Sequence, residues 1–264
     1  DSLKANTTAA NNTAVGYNSL TANTTGTDNV AIGKNALTTS ISGNQNVAVG
    51  TDALEVSTGS YNTGIGWNAL TSTTTGAGNT AVGREALILN TTGAGNVGIG
   101  REALRSNTTA SLNTALGFQS LYANTTGSGN IGVGSKALTA NTTGVSNVAV
   151  GLDAMLAATT SPSNTVIGHT SGANITTGTG ENVMVGNRAG FGVTTGAQNI
   201  IIGDNACANG TMTGGQNVFI GDNAGISNTT GATNTAVGSI SLDANTTGTY
   251  GVAIGYSALG ANTT

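Results

Sequence analysis

Side chains able to do chemistry are sparse in this sequence, and most of them share one address. Tyr17, Lys34, Trp67, Arg84, Arg101, Phe118, His169 and Tyr256 each follow the last Gly of an Asn-x-x-x-Gly pentapeptide or its Gly-x-x-x-Gly variant. The column mixes cations with rings, so Lys34 beside Tyr17, Arg84 beside Trp67 and Arg101 beside Phe118 are spaced for cation–π contact. Exposed tryptophan and arginine are the residue types that anchor interfaces. Such variability marks an exposed ridge, which reads either as a plain solvated surface column or as a ridge centred on Trp67 that contacts a glycan or protein receptor on a host or neighbouring cell surface.

Other candidates are weaker. His169 is the single histidine, and a structural zinc needs four ligands, so no metal site is expected there. Asp204-Asn205 and Asp222-Asn223 fall in neighbouring repeats and offer oxygens to a hard cation, but the acidic glycine-rich nonapeptide of calcium-binding rolls is absent. Cys207 occupies a core position and reads as a small apolar residue. Gly64-Ile65-Gly66 lacks the helix and acidic residue of a dinucleotide site. No nucleophile has a histidine partner and no acidic pair sits in an apolar setting, so no catalytic residue, cofactor or enzyme activity is expected.

Composition narrows the class. Seven Lys+Arg against 11 Asp+Glu give a net charge of −4, which leaves no basic surface for nucleic acid. No run approaches ~18 apolar residues, so no membrane insertion is expected. With 37% hydrophobic and 3% aromatic residues the chain is too poor for a thick globular core. One proline and few charges argue equally against a disordered linker.

What positions the ridge is a repeat that fills the chain. The pentapeptide begins at Asn12 and recurs to Asn234, then once more from Gly251, giving 15 copies spaced by 17 residues with one interval of 16 and two of 18. Numbered from the Asn as position 0, the unit reads N-β-a-V-G-x-x-A-L-x-x-N-T-T-G-x-x. Position 1 is always β-branched, position 3 is Val, Ile or Leu, and position 4 is always Gly. Alternation over three residues followed by Gly predicts one short strand per unit. The Asn-Thr-Thr segments at Asn6, Asn23, Asn90, Asn107, Asn124, Asn141, Asn228, Asn245 and Asn262 match the N-glycosylation pattern, but their recurrence at one turn fits stacked side-chain amides. Thr columns also raise an ice-binding alternative, although the pattern breaks at Ser40, Val56, Ala158 and Val193.

Positions 2 and 8 trade volume. Eleven copies pair Ala or Gly with Leu or Met, as in Ala31 with Leu37, Gly98 with Leu104 and Ala149 with Met155; four reverse it, Val166 with Gly172, Met184 with Gly190, Ile201 with Cys207 and Phe219 with Gly225. Close-packed interiors punish voids and overpacking alike, so the two positions are expected to touch. Positions 1 and 3 lie opposite position 2, and both sides are apolar, which predicts burial on both. Val15, Ile32, Leu37, Ile65, Val82, Leu87, Ile99 and Phe219 form the expected core. The second face calls for another copy of the chain, with small residues at positions 2 and 7 letting backbones approach. The expected architecture is an all-β parallel β-solenoid of 15 coils over 1–264, a single repeat domain about 70 Å long at ~4.8 Å per coil. The chain begins at Asp1 and stops within a repeat, which predicts a segment of a longer fibre.

The segments Asn29-Val-Ala-Ile-Gly33, Asn46-Val-Ala-Val-Gly50, Asn147-Val-Ala-Val-Gly151 and Val252-Ala-Ile-Gly255 resemble the head repeats of YadA-like trimeric autotransporter adhesins. The longer unit with its Asn-Thr-Thr-Gly loop looks like repeats of phage and bacterial tail-fibre-like proteins. The resemblance implies a left-handed roll, a homotrimer able to continue end to end, an extracellular place on a cell or virion surface, and a structural and adhesive role. The competing expectation is a monomeric solenoid whose Thr ladders bind ice or a repetitive ligand.

Overall fold

The computed structural model describes residues 1–264. The chain divides into two compact units, Asp1–Gly129 and Asn130–Thr264. Both are all-β parallel solenoids with about 17 residues per turn and no helix. The first unit carries β1 (Thr13–Val15), β2 (Val30–Ile32), β3 (Val47–Val49), β4 (Thr63–Ile65), β5 (Thr80–Val82), β6 (Val97–Ile99) and β7 (Thr114–Leu116). The second carries β8 (Ile131–Val133), β9 (Val148–Val150), β10 (Thr165–Ile167), β11 (Val183–Val185), β12 (Ile200–Ile202), β13 (Val218–Ile220), β14 (Thr235–Val237) and β15 (Val252–Ile254). Within each unit every strand pairs in parallel with the next coil's strand, position on position, as in Ala31↔Ala48 and Ile201↔Phe219. The remainder of each coil serves as the crossover that parallel pairing requires.

Position 4 shows why only Gly will do. Gly83 has φ +135°, a region open to glycine alone, and a Cβ built on it would lie 2.6 Å from the carbonyl oxygen of Gly100 in the next coil. Position 8 is unexpected. Its residue has φ near +50° in every coil, so Leu37 at +51° and Leu87 at +52° hold a left-handed conformation that L-residues avoid. Complete burial of those leucines offsets the strain.

The interior is lined by positions 2, 7, 8 and 11. Ala31, Ala36 and Leu37 are fully buried, as are Leu87 and Phe219. The expected contact between positions 2 and 8 is present. A Cβ on Gly64 would meet Leu54 of the preceding coil at 3.2 Å, one on Gly98 would meet Leu87 at 3.3 Å, and one on Gly225 would collide with the Phe219 ring at 2.8 Å.

Two expectations are corrected. Val15, Ile32, Ile65 and Ile99 lie outside the coil: Val15 is 58% and Ile65 38% exposed, while Val82 is half-buried. Winding the coil turns position 2 inward, and the period of two then turns positions 1 and 3 outward. For the same reason the small residues at positions 2 and 7 face inward, where they make room for Leu at position 8 rather than for a sister chain.

Polar side chains also enter the core. Asn29, Asn46, Asn62, Asn79 and Asn96 are all fully buried. Each accepts from the backbone N–H of the next coil's Asn, as Asn46 N does to Asn29 Oδ1 at 2.9 Å, and donates Nδ2–H to a glycine or alanine carbonyl, as Asn79 does to Gly93 O at 2.9 Å. A satisfied amide costs little inside a protein, whereas an unsatisfied one costs about 1–3 kcal/mol.

Candidate functional site

The ridge follows directly from the glycine turn. Reversal at position 4 throws position 5 outward, so Lys34, Arg84, Arg101 and His169 are exposed, Trp67 is 45% exposed, and Tyr17 and Tyr256 more so. Phe118 alone is half-buried, beneath Arg101, whose guanidinium carbon stands 4.5 Å from the ring centre. Arg84 covers Trp67 at 5.0 Å. Thus two of the three expected pairs close between adjacent coils.

Sequence spacing missed how this cluster is braced. Glu85, at position 6, is buried to 9% exposure and receives Arg84 Nη2 at 3.1 Å on one oxygen and Arg105 Nε at 3.1 Å on the other. The hydrogen bond from Arg105, with a smaller contribution from Arg84, holds the Glu85 carboxyl below the ordinary glutamate range against the opposing effect of burial. The same bond raises Arg105 above its ordinary value. Arg105 lies over Tyr122 at 5.7 Å, Arg101 reaches Glu102 at 3.7 Å, and Gln119 Nε2 donates to Glu102 at 2.7 Å. A run of fixed guanidinium and ring faces results, spanning Trp67 to Tyr122. The only signal in the sequence was the repeated Arg-Glu at positions 5 and 6, in Arg84-Glu85 and Arg101-Glu102.

In the second unit the side chains at positions 5 and 6 bond to one another. His169 Nδ1 and Asn187 Oδ1 are 3.1 Å apart, and Asn187 Nδ2 donates to Asp204 Oδ1 at 2.8 Å. The Asp204 and Asp222 carboxylates each accept from the adjacent asparagine, Asn205 at 3.0 Å and Asn223 at 3.1 Å. No group of three His, Cys, Asp or Glu side chains comes together, and no pocket opens on either unit. Cys207 is fully buried, its thiol donating to Met212 Sδ at 2.8 Å, and burial pushes its pKa up to about 12. An attacking thiolate is therefore not available at neutral pH.

In seven of the nine Asn-Thr-Thr turns the asparagine is buried in the fold, while Asn6 and Asn262 are half-buried. Asn90, Asn107 and Asn124 are fully buried and form a ladder, Asn107 Nδ2 donating to Asn90 Oδ1 and Asn124 Nδ2 to Asn107 Oδ1, each at 2.9 Å. In the turns at Asn90, Asn107, Asn141, Asn228 and Asn245 the first Thr spends its hydroxyl on the next coil, as Thr91 Oγ1 does in donating to Thr108 O at 3.0 Å. The second Thr faces outward, so Thr75, Thr92, Thr109 and Thr126 make an exposed hydroxyl column in the first unit.

Compared with known proteins, the sequence matches no family model and no curated protein.

Proposed function

We propose that this chain is a segment of an extracellular homotrimeric fibre on a cell or virion surface, with a structural and adhesive role. The observation that carries this reading is the outward apolar column at position 3. In the first unit Val15, Ile32, Val49, Ile65, Val82, Ile99 and Leu116 lie in register on successive strands, and Ile32, Ile65, Ile99 and Leu116 are among the exposed large apolar residues. Contiguous apolar surface of this kind marks an interaction face, and a parallel stack fits another copy of itself coil for coil. Adhesion falls to the opposite chemistry, the braced arginine and aromatic ridge around Trp67.

Light scattering tests the assembly. Three times the 25.5 kDa chain mass is expected, with Ile65→Asp/Ile99→Asp reducing it to one copy while β-structure is kept; a wild-type monomer would overturn it. Glycan and cell-surface binding of the intact fibre, lost in Trp67→Ala, tests the adhesive role.

The exposed threonine column favours one other reading, a monomeric solenoid whose hydroxyls, ~4.8 Å apart, meet ice or a repetitive ligand. A monomer with freezing hysteresis, abolished by Thr92→Val/Thr109→Val, is the outcome that reading requires.

A further inference from the structure

We propose that Asn209 is a self-modification site, at which the chain converts its own asparagine to aspartate and isoaspartate through a cyclic imide. Asn209-Gly210 is the single Asn-Gly pair in the sequence, and it lies in one of the two coils lengthened to 18 residues. Asn209, Gly210 and Thr211 are all exposed. The Asn209 side chain makes no hydrogen bond. The Gly210 N–H is likewise uncommitted, although the backbone on both sides is tied down: Asn209 N donates to Ile226 O at 3.0 Å and Met212 N to Gly192 O at 2.7 Å. Gly210, at φ +82°, also has no side chain to hinder its nitrogen.

The asparagines of the two ladders differ on each of these counts. Asn29, Asn90 and Asn107, for example, are fully buried with both ends of the amide bonded. The nitrogen that would have to attack is held as well: Val30 N donates to Asn46 O at 2.9 Å and Thr91 N to Thr108 O at 2.8 Å. The following residue is also β-branched in both ladders, which crowds the approach.

In the reaction the Gly210 amide nitrogen loses its proton to hydroxide and adds to Asn209 Cγ. A Cγ–N bond forms, the Cγ–Nδ2 bond breaks, and the NH2 group leaves as ammonia after taking a proton from water, which restores the hydroxide. Water then opens the five-membered ring at either carbonyl, giving aspartate or isoaspartate. Nothing is oxidised or reduced, and the only co-reactant is solvent.

The test ages the intact folded chain at mildly alkaline pH and follows its peptides by mass spectrometry, with isoaspartyl methyltransferase as a second probe. The Asn209 peptide is expected to gain the mass difference between NH2 and OH and to become methylatable, running to completion before peptides carrying Asn90, Asn107 or Asn124 have changed. Asn209→Gln is expected to abolish the methylation. The proposal fails if the Asn209 peptide stays unchanged in the folded chain while it converts in the urea-unfolded chain, or if a ladder asparagine converts first.

Discussion

Two kinds of coil share one backbone path in this protein. In the coil from Asn79 to Gly95 the strand offers Ala81 and position 8 holds Leu87, both fully buried; in the coil from Asn217 to Thr233 the strand offers Phe219 and position 8 shrinks to Gly225. All four residues sit at the same two addresses, and position 8 is left-handed in both, at φ +52° for Leu87 and +57° for Gly225. The leucine coil thus carries a conformational cost that the glycine coil escapes, because glycine enters this region freely. The phenylalanine coil instead depends on one ring. The lesson is that this solenoid specifies the summed volume at two positions, while the identity at each is free to move.

The comparison breaks first where the two coils agree. Alanine at position 4 should cost about 3 kcal/mol or more in either setting, since Gly83 and Gly203 both hold φ values of +135° to +140° against the next coil's carbonyl. Denaturant unfolding of Gly83→Ala and Gly203→Ala measures it, and a mild effect at one site would show that the turns are not equivalent. Next comes the exchange itself. Phe219→Ala should lose about 3–5 kcal/mol, and adding Gly225→Leu should recover most of it, leaving about 1–2 kcal/mol for the left-handed leucine. The reverse exchange, Ala81→Phe with Leu87→Gly, should likewise repair the overpacking of Ala81→Phe. Additive losses in either double variant would show that the positions do not share space.

A smaller effect sharpens the polar side of the core. Ser40 replaces the ladder asparagine, and its hydroxyl is buried without a partner, beside Asn23 in the preceding coil and three residues before Gly43. Ser40→Asn should extend the ladder and raise stability by about 1 kcal/mol, read as a higher melting temperature. The smallest effect is electrostatic. Glu85 has a folded-state pKa depressed by Arg105 and Arg84, so its contribution is complete above the unfolded value and is lost as pH falls through the depressed one. Melting temperature should therefore drop on acidification through and below the ordinary carboxylate range, and Glu85→Gln should reduce that drop.

The strands, the glycine turn and the shared volume were legible because each leaves a residue-type signature at a fixed spacing. Which apolar face turns inward was not. Ala31 and Ile32 are both apolar, and only the closure of the coil over Leu37 decides that Ala31 is buried and Ile32 is exposed. The polar core was half legible: stacked amides followed from the recurrence of Asn-Thr-Thr, but the burial of Asn29 or Asn96 follows from bonds to the neighbouring coil. Left-handed leucine left no signature at all, since nothing about Leu as a residue type suggests it. On the ridge, exposure and two ring contacts were readable from spacing, whereas the role of Glu85 depended on Arg105 reaching back from the following coil.

The buried asparagine column has one more property. Within each unit the Oδ1 groups accept from the coil that follows, not from the one before, so the amide dipoles add rather than cancel. Such a stack has a head and a tail with unlike appetites, one offering hydrogens and the other lone pairs. Growth by addition of further coils is therefore polar, and two stacks meeting face to face at like ends would find no match.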